Sequence, residues 1–379
     1  MMRRVALALL LCSTAAQAGI MLSANDGKQI VKGDPTQRTP DSVDVLDMGH
    51  YPPKVIGSVR IPAAMIGSPN AIAVGAGEKY AIITAAQKYV DADPENPAPD
   101  DTVSLIDLKD PAHPRLLQTV HAGLTPGGVT INRAGTLVLV ANKTSDSISV
   151  FRLSGTHLAP AGTVELGKGA APTDVVFVPD GRHAYATAWG ANKIMELAVD
   201  GAEVTRTGKD VATGINPYGA TVTPDSNWLI NTNVGGALEK KTAGTLTMVD
   251  LKTGKLALNM EVGKVPEHVA LSPDGRYAAV VLANGAATVK TDPKYDGLVG
   301  IIKIYAVGPG TLTPVAQADS CHWAQGLAWS DDGKLVLQQC AAERAIQVFR
   351  FYGQGLKRDD AATLTFVSRP GSLSTRHSR

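Results

Sequence analysis

One phrase returns along this chain at nearly even intervals: a proline, a short apolar run, a turn rich in glycine and aspartate, and a second apolar run. It reads Ser68-Pro69-Asn70-Ala71-Ile72-Ala73-Val74, then Thr125-Pro126-Gly127-Gly128-Val129-Thr130-Ile131. It continues with Ala171-Pro172-Thr173-Asp174-Val175, Asn216-Pro217-Tyr218-Gly219-Ala220 and Val265-Pro266-Glu267-His268-Val269. A sixth copy, Trp323-Ala324-Gln325-Gly326-Leu327, has alanine for proline. The marker positions 69, 126, 172, 217, 266 and 324 are 57, 46, 45, 49 and 58 apart. A period of this length means an array in which each unit buries its apolar face against the next.

Each unit resolves into four short strands, A to D. In the third repeat, Thr173 to Val178 reads as strand A and Pro179-Asp180-Gly181-Arg182 as a tight turn. Ala184 to Ala188, Ile194 to Ala198 and a segment starting at Val204 supply strands B, C and D. Repeated four-stranded units are the blades of a propeller. The N-terminus lacks a strand-A phrase but offers a B-like Met21 to Asp26 and a C-like Ser42 to Asp47. The C-terminal Ser368-Arg369-Pro370-Gly371-Ser372-Leu373 resembles a lone strand A. The expectation is an all-β, seven-bladed propeller over residues 19–374, with the N- and C-terminal segments closing the ring and a tail at 375–379. Six blades and a free tail are the alternative.

The first 18 residues read as a secretory signal, with Arg3-Arg4, an apolar core from Val5 and an A-x-A cleavage site at Ala16-Gln17-Ala18. This places the protein in the periplasm or outside the cell. Removing the two arginines takes the formal charge from +1 to −1, which leaves no basic footprint for nucleic acid. Beyond the signal no apolar stretch is long enough for a transmembrane helix. Two cysteines remain, Cys321 and Cys340, at neighbouring ends of strands around the turn Ser330 to Gly333. In an oxidising compartment they are expected to form a disulfide.

Phrases such as Val178-Pro179-Asp180-Gly181-Arg182-His183-Ala184-Tyr185 and Leu271-Ser272-Pro273-Asp274-Gly275-Arg276-Tyr277 resemble the YVTN-type β-propeller repeat. The resemblance covers roughly residues 20 to 374. That superfamily includes surface-layer propellers, sugar-acid lactonases, the haem d1 domain of nitrite reductases and the heavy subunit of amine dehydrogenases. The resemblance implies a fold; function must come from a site.

In a propeller the loop entering strand A and the B–C loop share one face, so the residues after each proline ring one mouth of the channel. That ring reads Asn70, Gly127, Thr173, Tyr218, Glu267, Gln325 and Gly371, and the next position adds Asp174 and His268. Asn70, Thr173, Asp174, Tyr218, Gln325, His322 and Trp189 are candidate ligand contacts. Glu267 and His268 are candidate acid–base groups. Each has a structural alternative, hydrogen bonding to neighbouring blades. Asn142, Trp189 and Asn233 read as equivalent positions at the end of strand B. Insertions at Gln87 to Asp100, Gly235 to Ala243 and Asn284 to Gly297 bring Lys88, Tyr89, Lys240, Lys241, Lys290, Lys294 and Tyr295 toward the same rim.

No metal site is identified in the sequence, and a metal or haem at the mouth through His268 and His322 stays open. The histidines lack metal-ligand spacing, and Asp91 to Asn96 lacks the glycine and distal glutamate of a calcium loop. The sequence names no cofactor. The leading functional reading is a binding or interaction module for a small molecule or a periplasmic protein. The alternatives are a lactonase-like hydrolase acting on a small anionic lactone and an accessory protein of a periplasmic redox system.

Overall fold

The computed structural model describes residues 19–29, 37–90, 97–236 and 242–377. The signal segment, the Asp91 to Asn96 stretch, Lys240 and Lys241 lie outside these residues.

Seven antiparallel sheets form a ring. Blades 1 to 6 follow the six repeats. Blade 7 is composite: Arg369–Ser374 is its innermost strand, followed outward by Ile20–Asp26, Ser42–Asp47 and Lys54–Val59. The third repeat gives Pro172–Phe177, His183–Ala188, Lys193–Asp200 and Glu203–Ala212. Its A–B turn works as the composition implies. Gly181 takes a positive φ of 72°, and Asp180 accepts the Arg182 N–H at 2.8 Å. The same aspartate bond recurs at Asp225, Asp274 and Asp332.

The apolar residues divide into seven clusters, one at each blade–blade interface. Between blades 2 and 3, for example, Leu139, Ile148 and Val150 pack on Val175, Phe177 and Met195. Between blades 6 and 7, Leu337 and Val348 meet Met21, Leu46 and Leu373. Stability therefore resides between blades, and the axis is left for polar groups.

In blades 2 to 5 the proline begins the innermost strand, at Pro126, Pro172, Pro217 and Pro266, where its missing N–H removes no ladder bond. The residue before it is left-handed at Thr125, Ala171, Asn216 and Val265, as is Trp323 before Ala324, with φ between 45° and 59°. This conformation is costly for a β-branched residue such as Val265. It is held because its carbonyl accepts the N–H of the residue just past strand B, 2.9 Å away at Ala283. A bulge follows the start of the innermost strand in blades 2 to 6, between Pro266 and His268 in blade 5. Cys321 and Cys340 are joined, with α-carbons 5.6 Å apart. Among the described residues no helix is long and apolar enough to cross a membrane.

Candidate functional site

The second ring position builds a belt across the channel. The Leu327 N–H donates to His268 Nδ1 at 3.0 Å. A backbone N–H can only donate, so Nδ1 carries no proton and the ring is the Nε2–H tautomer. His268 Nε2–H donates to Asn70 Oδ1 at 2.7 Å, and Asn70 Nδ2 donates to Asp174 Oδ2 at 2.6 Å. Asp174 also accepts the N–H groups of Ala220 and Val175, both at 2.9 Å. A Cβ on Gly128 would lie 2.0 Å from Asp174 Oδ1, so only glycine leaves room for this carboxylate. All three side chains are buried. The belt ties blades 1, 3, 4, 5 and 6, and both His268 nitrogens are committed to it. Sequence proposed His268 as an acid–base group and Asn70 and Asp174 as ligand contacts; the structure gives each of them internal partners.

Thr173 is likewise satisfied, donating to the carbonyls of Pro217 and Tyr218 in the next blade. Tyr218 donates its hydroxyl to the Gly67 carbonyl across the channel.

Glu267 differs. Its side chain is half-buried and, among the described residues, makes no hydrogen bond or ion pair. Desolvation pushes its pKa up to about 8. It is close enough to Tyr218 to push that phenol upward too, after desolvation. One place further round, the buried Gln325 has an Oε1 that meets no donor among the described residues. On the other side Tyr218 meets Trp189 edge to face, with ring centroids 5.4 Å apart. Lys143 Nζ sits 4.7 Å from the Trp189 centroid, and burial holds its pKa down. An amine, an indole, a phenol, a carboxyl and an amide thus follow one another around blades 2 to 6.

Lys143 was missed by the sequence reading. The register pairs Pro172 with Ala188 and Pro126 with Asn142. Trp189 therefore corresponds to Lys143 and Val234, one residue beyond the position assigned from sequence. Asn142 and Asn233 turn instead to their own strand C, bonding Ser149 at 2.9 Å and Thr247 at 2.8 Å.

His322 lies outside the ring. Its Nε2 donates to the Tyr295 carbonyl at 2.7 Å, Nδ1 is 2.5 Å from Glu343 Oε1, and the ring stacks on Tyr295 at 3.5 Å. It pins the long blade 5 loop onto blade 6. The grouping of Cys321, Cys340 and Glu343 has metal-ligand spacing, but its sulfurs are in the disulfide.

Two cavities flank the ring. One of about 620 Å³ lies on the mouth face between blades 7 and 1, lined by Lys28, Arg38, Arg60, Lys88 and Tyr89. Another of about 450 Å³ lies at the opposite end of the channel, lined by Ile131, Phe177, Val222, Leu271 and Arg376.

No protein-family profile and no curated protein sequence matches the chain. Solved structures do. A functionally unknown protein from Desulfotomaculum acetoxidans aligns with TM-score 0.70 and 11% identity over 95% of this chain and 100% of that one. A "putative 6-phosphogluconolactonase" from Bacteroides fragilis aligns with TM-score 0.70 and 18% identity over 96% and 99%. Hydrazine synthase from Kuenenia stuttgartiensis aligns with TM-score 0.58 and 16% identity over 77% and 79%. At these identities the likeness is one of fold. The chain is a seven-bladed β-propeller whose structural neighbours include lactonase-type propellers.

Proposed function

We propose that the protein is a binding module of an oxidising, extracytoplasmic compartment. It takes a small hydroxylated ring compound at the arc Lys143, Trp189, Tyr218, Glu267 and Gln325. The carrying observation is the Glu267 carboxyl, left without a partner among the described residues while its neighbours in the belt are satisfied. A half-buried carboxyl with no partner of its own in the protein is open to a hydroxyl group that enters the site. Hydroxyl groups suit Glu267 and Gln325, a flat apolar ring face suits Trp189, and a carboxylate or phosphate suits Lys143. The disulfide fits an oxidising compartment. Calorimetric titration with sugar acids and their lactones tests the reading. Binding that weakens at least tenfold in Trp189→Ala and in Glu267→Ala supports it. A panel without binding, or binding unchanged in both variants, refutes it.

The raised Glu267 favours a second reading, lactone hydrolysis. A carboxyl with a pKa of about 8 is a competent general base near neutral pH. It would take a proton from water as the oxygen adds to the lactone carbonyl, and the ring oxygen would leave carrying a proton. Lys143 would hold the product carboxylate. The name of the Bacteroides neighbour agrees with this chemistry but stands at 18% identity. Proton release from lactones, rising with pH through about 8 and lost in Glu267→Gln, is the expected signature. Rates equal to the spontaneous ones at every pH exclude it.

A further inference from the structure

The first and last described residues converge on two carboxylates on the face opposite the mouth. Asp331 lies in the A–B turn of blade 6 and Glu78 in that of blade 1, so they flank composite blade 7. The Ile20 N–H points at both Glu78 oxygens, each 3.4 Å away. A Cβ on Gly19 would fall 2.4 Å from Asp331 Oδ2 and 3.2 Å from Oδ1. The Asp331 carboxylate therefore rests against the Gly19 α-carbon, one bond from its nitrogen, and any larger residue there would collide with it.

From the other end, Arg376 Nη2 reaches Asp331 Oδ2 at 2.7 Å, and its Nε lies 3.7 Å from Glu78 Oε1. His377 Nε2 accepts from Arg376 Nε at 3.1 Å and lies 3.5 Å from Asp331. Burial holds the His377 pKa down, so the ring adds no charge near neutrality. Glu78 is buried, and burial raises its pKa against the pull of Arg376. Two carboxylates thus face one guanidinium. Among the described residues no second cation pairs with them, and the Gly19 nitrogen is one bond from the α-carbon that Asp331 rests against. Directly before Gly19 the sequence reads Ala16-Gln17-Ala18, the small-residue pattern of a leader cleavage site.

We infer that the Ala18–Gly19 bond is the processing site and that the freed Gly19 ammonium is the second cation, binding Asp331 and Glu78. Hydrolysis by an export-associated peptidase consumes one water. Its oxygen completes the Ala18 carboxylate, and the Gly19 amine takes up protons to become an ammonium. Maturation then ties the N-terminus, the C-terminal Arg376 and blades 1 and 6 into one neutral cluster.

Three chains test this: one beginning at Gly19 with a free amine, one acetylated there, and one retaining Gln17-Ala18. At pH 6.5 both blocked chains should unfold with an equilibrium constant roughly tenfold or more above the free chain, the size of a charge-assisted bond. Asp331→Asn should abolish the difference, and Glu78→Gln should shrink it. The ammonium is stabilised in the native state, so its contribution is full below the ordinary α-amino pKa of about 8 and is lost as pH rises through the raised native value. The exported protein should begin at Gly19 by N-terminal sequencing. Equal unfolding of free and blocked chains at pH 6.5 overturns the inference, as does a mature terminus elsewhere.

Discussion

Replacing Glu267 with glutamine isolates one proton. The side chain keeps its size but loses its charge at every pH. Burial pushes the native carboxyl up to about 8, against an ordinary value of 4.5. Between those values the folded protein holds a proton that the unfolded chain has released, so wild-type stability falls as pH rises. The slope approaches 1.4 kcal/mol per pH unit. Integrated from pH 5 to pH 8, Glu267 removes about 3 kcal/mol of stability that Glu267→Gln retains. Asp41, Asp44 and Glu78, whose pKa values burial also raises, contribute to both proteins and cancel in the difference. Urea unfolding of the two proteins at pH 5, 6.5 and 8, followed by tryptophan fluorescence, measures it. The variant should gain steadily on the wild type across the series. A constant difference would mean that Glu267 is solvated or paired, and the unsatisfied carboxyl on which the binding site rests would be gone.

The belt predicts that His268→Ala, which strands the Leu327 N–H and Asn70 Oδ1, costs roughly 3 kcal/mol in urea unfolding. An unchanged midpoint would show the belt to be dispensable. The disulfide closes a loop with a sequence separation of 19, so replacing Cys321 and Cys340 with serine should cost about 3 kcal/mol. Equal midpoints would refute that. Val265→Asn should stabilise by about 0.5–1 kcal/mol by relieving left-handed strain, as Asn216 does naturally, and a destabilised variant would contradict the strain argument. His322→Ala should speed proteolysis within the Asn284 to Gly297 loop, since it removes the stacking and the Tyr295 bond; unaltered cleavage would show another anchor.

The ring was legible because its signals are local. Proline, turns rich in glycine and aspartate, and alternating apolar residues mark most blades, and even the lone Ser368 to Leu373 phrase identified the closing strand. The belt was not legible. His268 bonds Asn70 across 198 positions and Asn70 bonds Asp174 across 104, and no spacing rule carries that information. Sequence placed Glu267 and His268 together at the mouth but could not tell which would be spent on the fold, because the bulge after Pro266 decides their directions. Lys143 escaped through a one-residue slip in aligning strand B. Its signal was present: it follows Asn142 as Trp189 follows Ala188.

Composite blade 7 also sets a timetable. Residues Ile20–Asp26 pair with Arg369–Ser374, the last strand of the ring to be synthesised. Until it arrives, the first strand has no inner neighbour and the ring stands open at one seam, with an unpaired edge exposed. Six blades can assemble in order of synthesis, each on the one before. The seventh waits for Arg369–Ser374. A protein built this way completes its ring only after the closing strand is delivered, so the seam between Ile20–Asp26 and Arg369–Ser374 is the final piece of the fold to form.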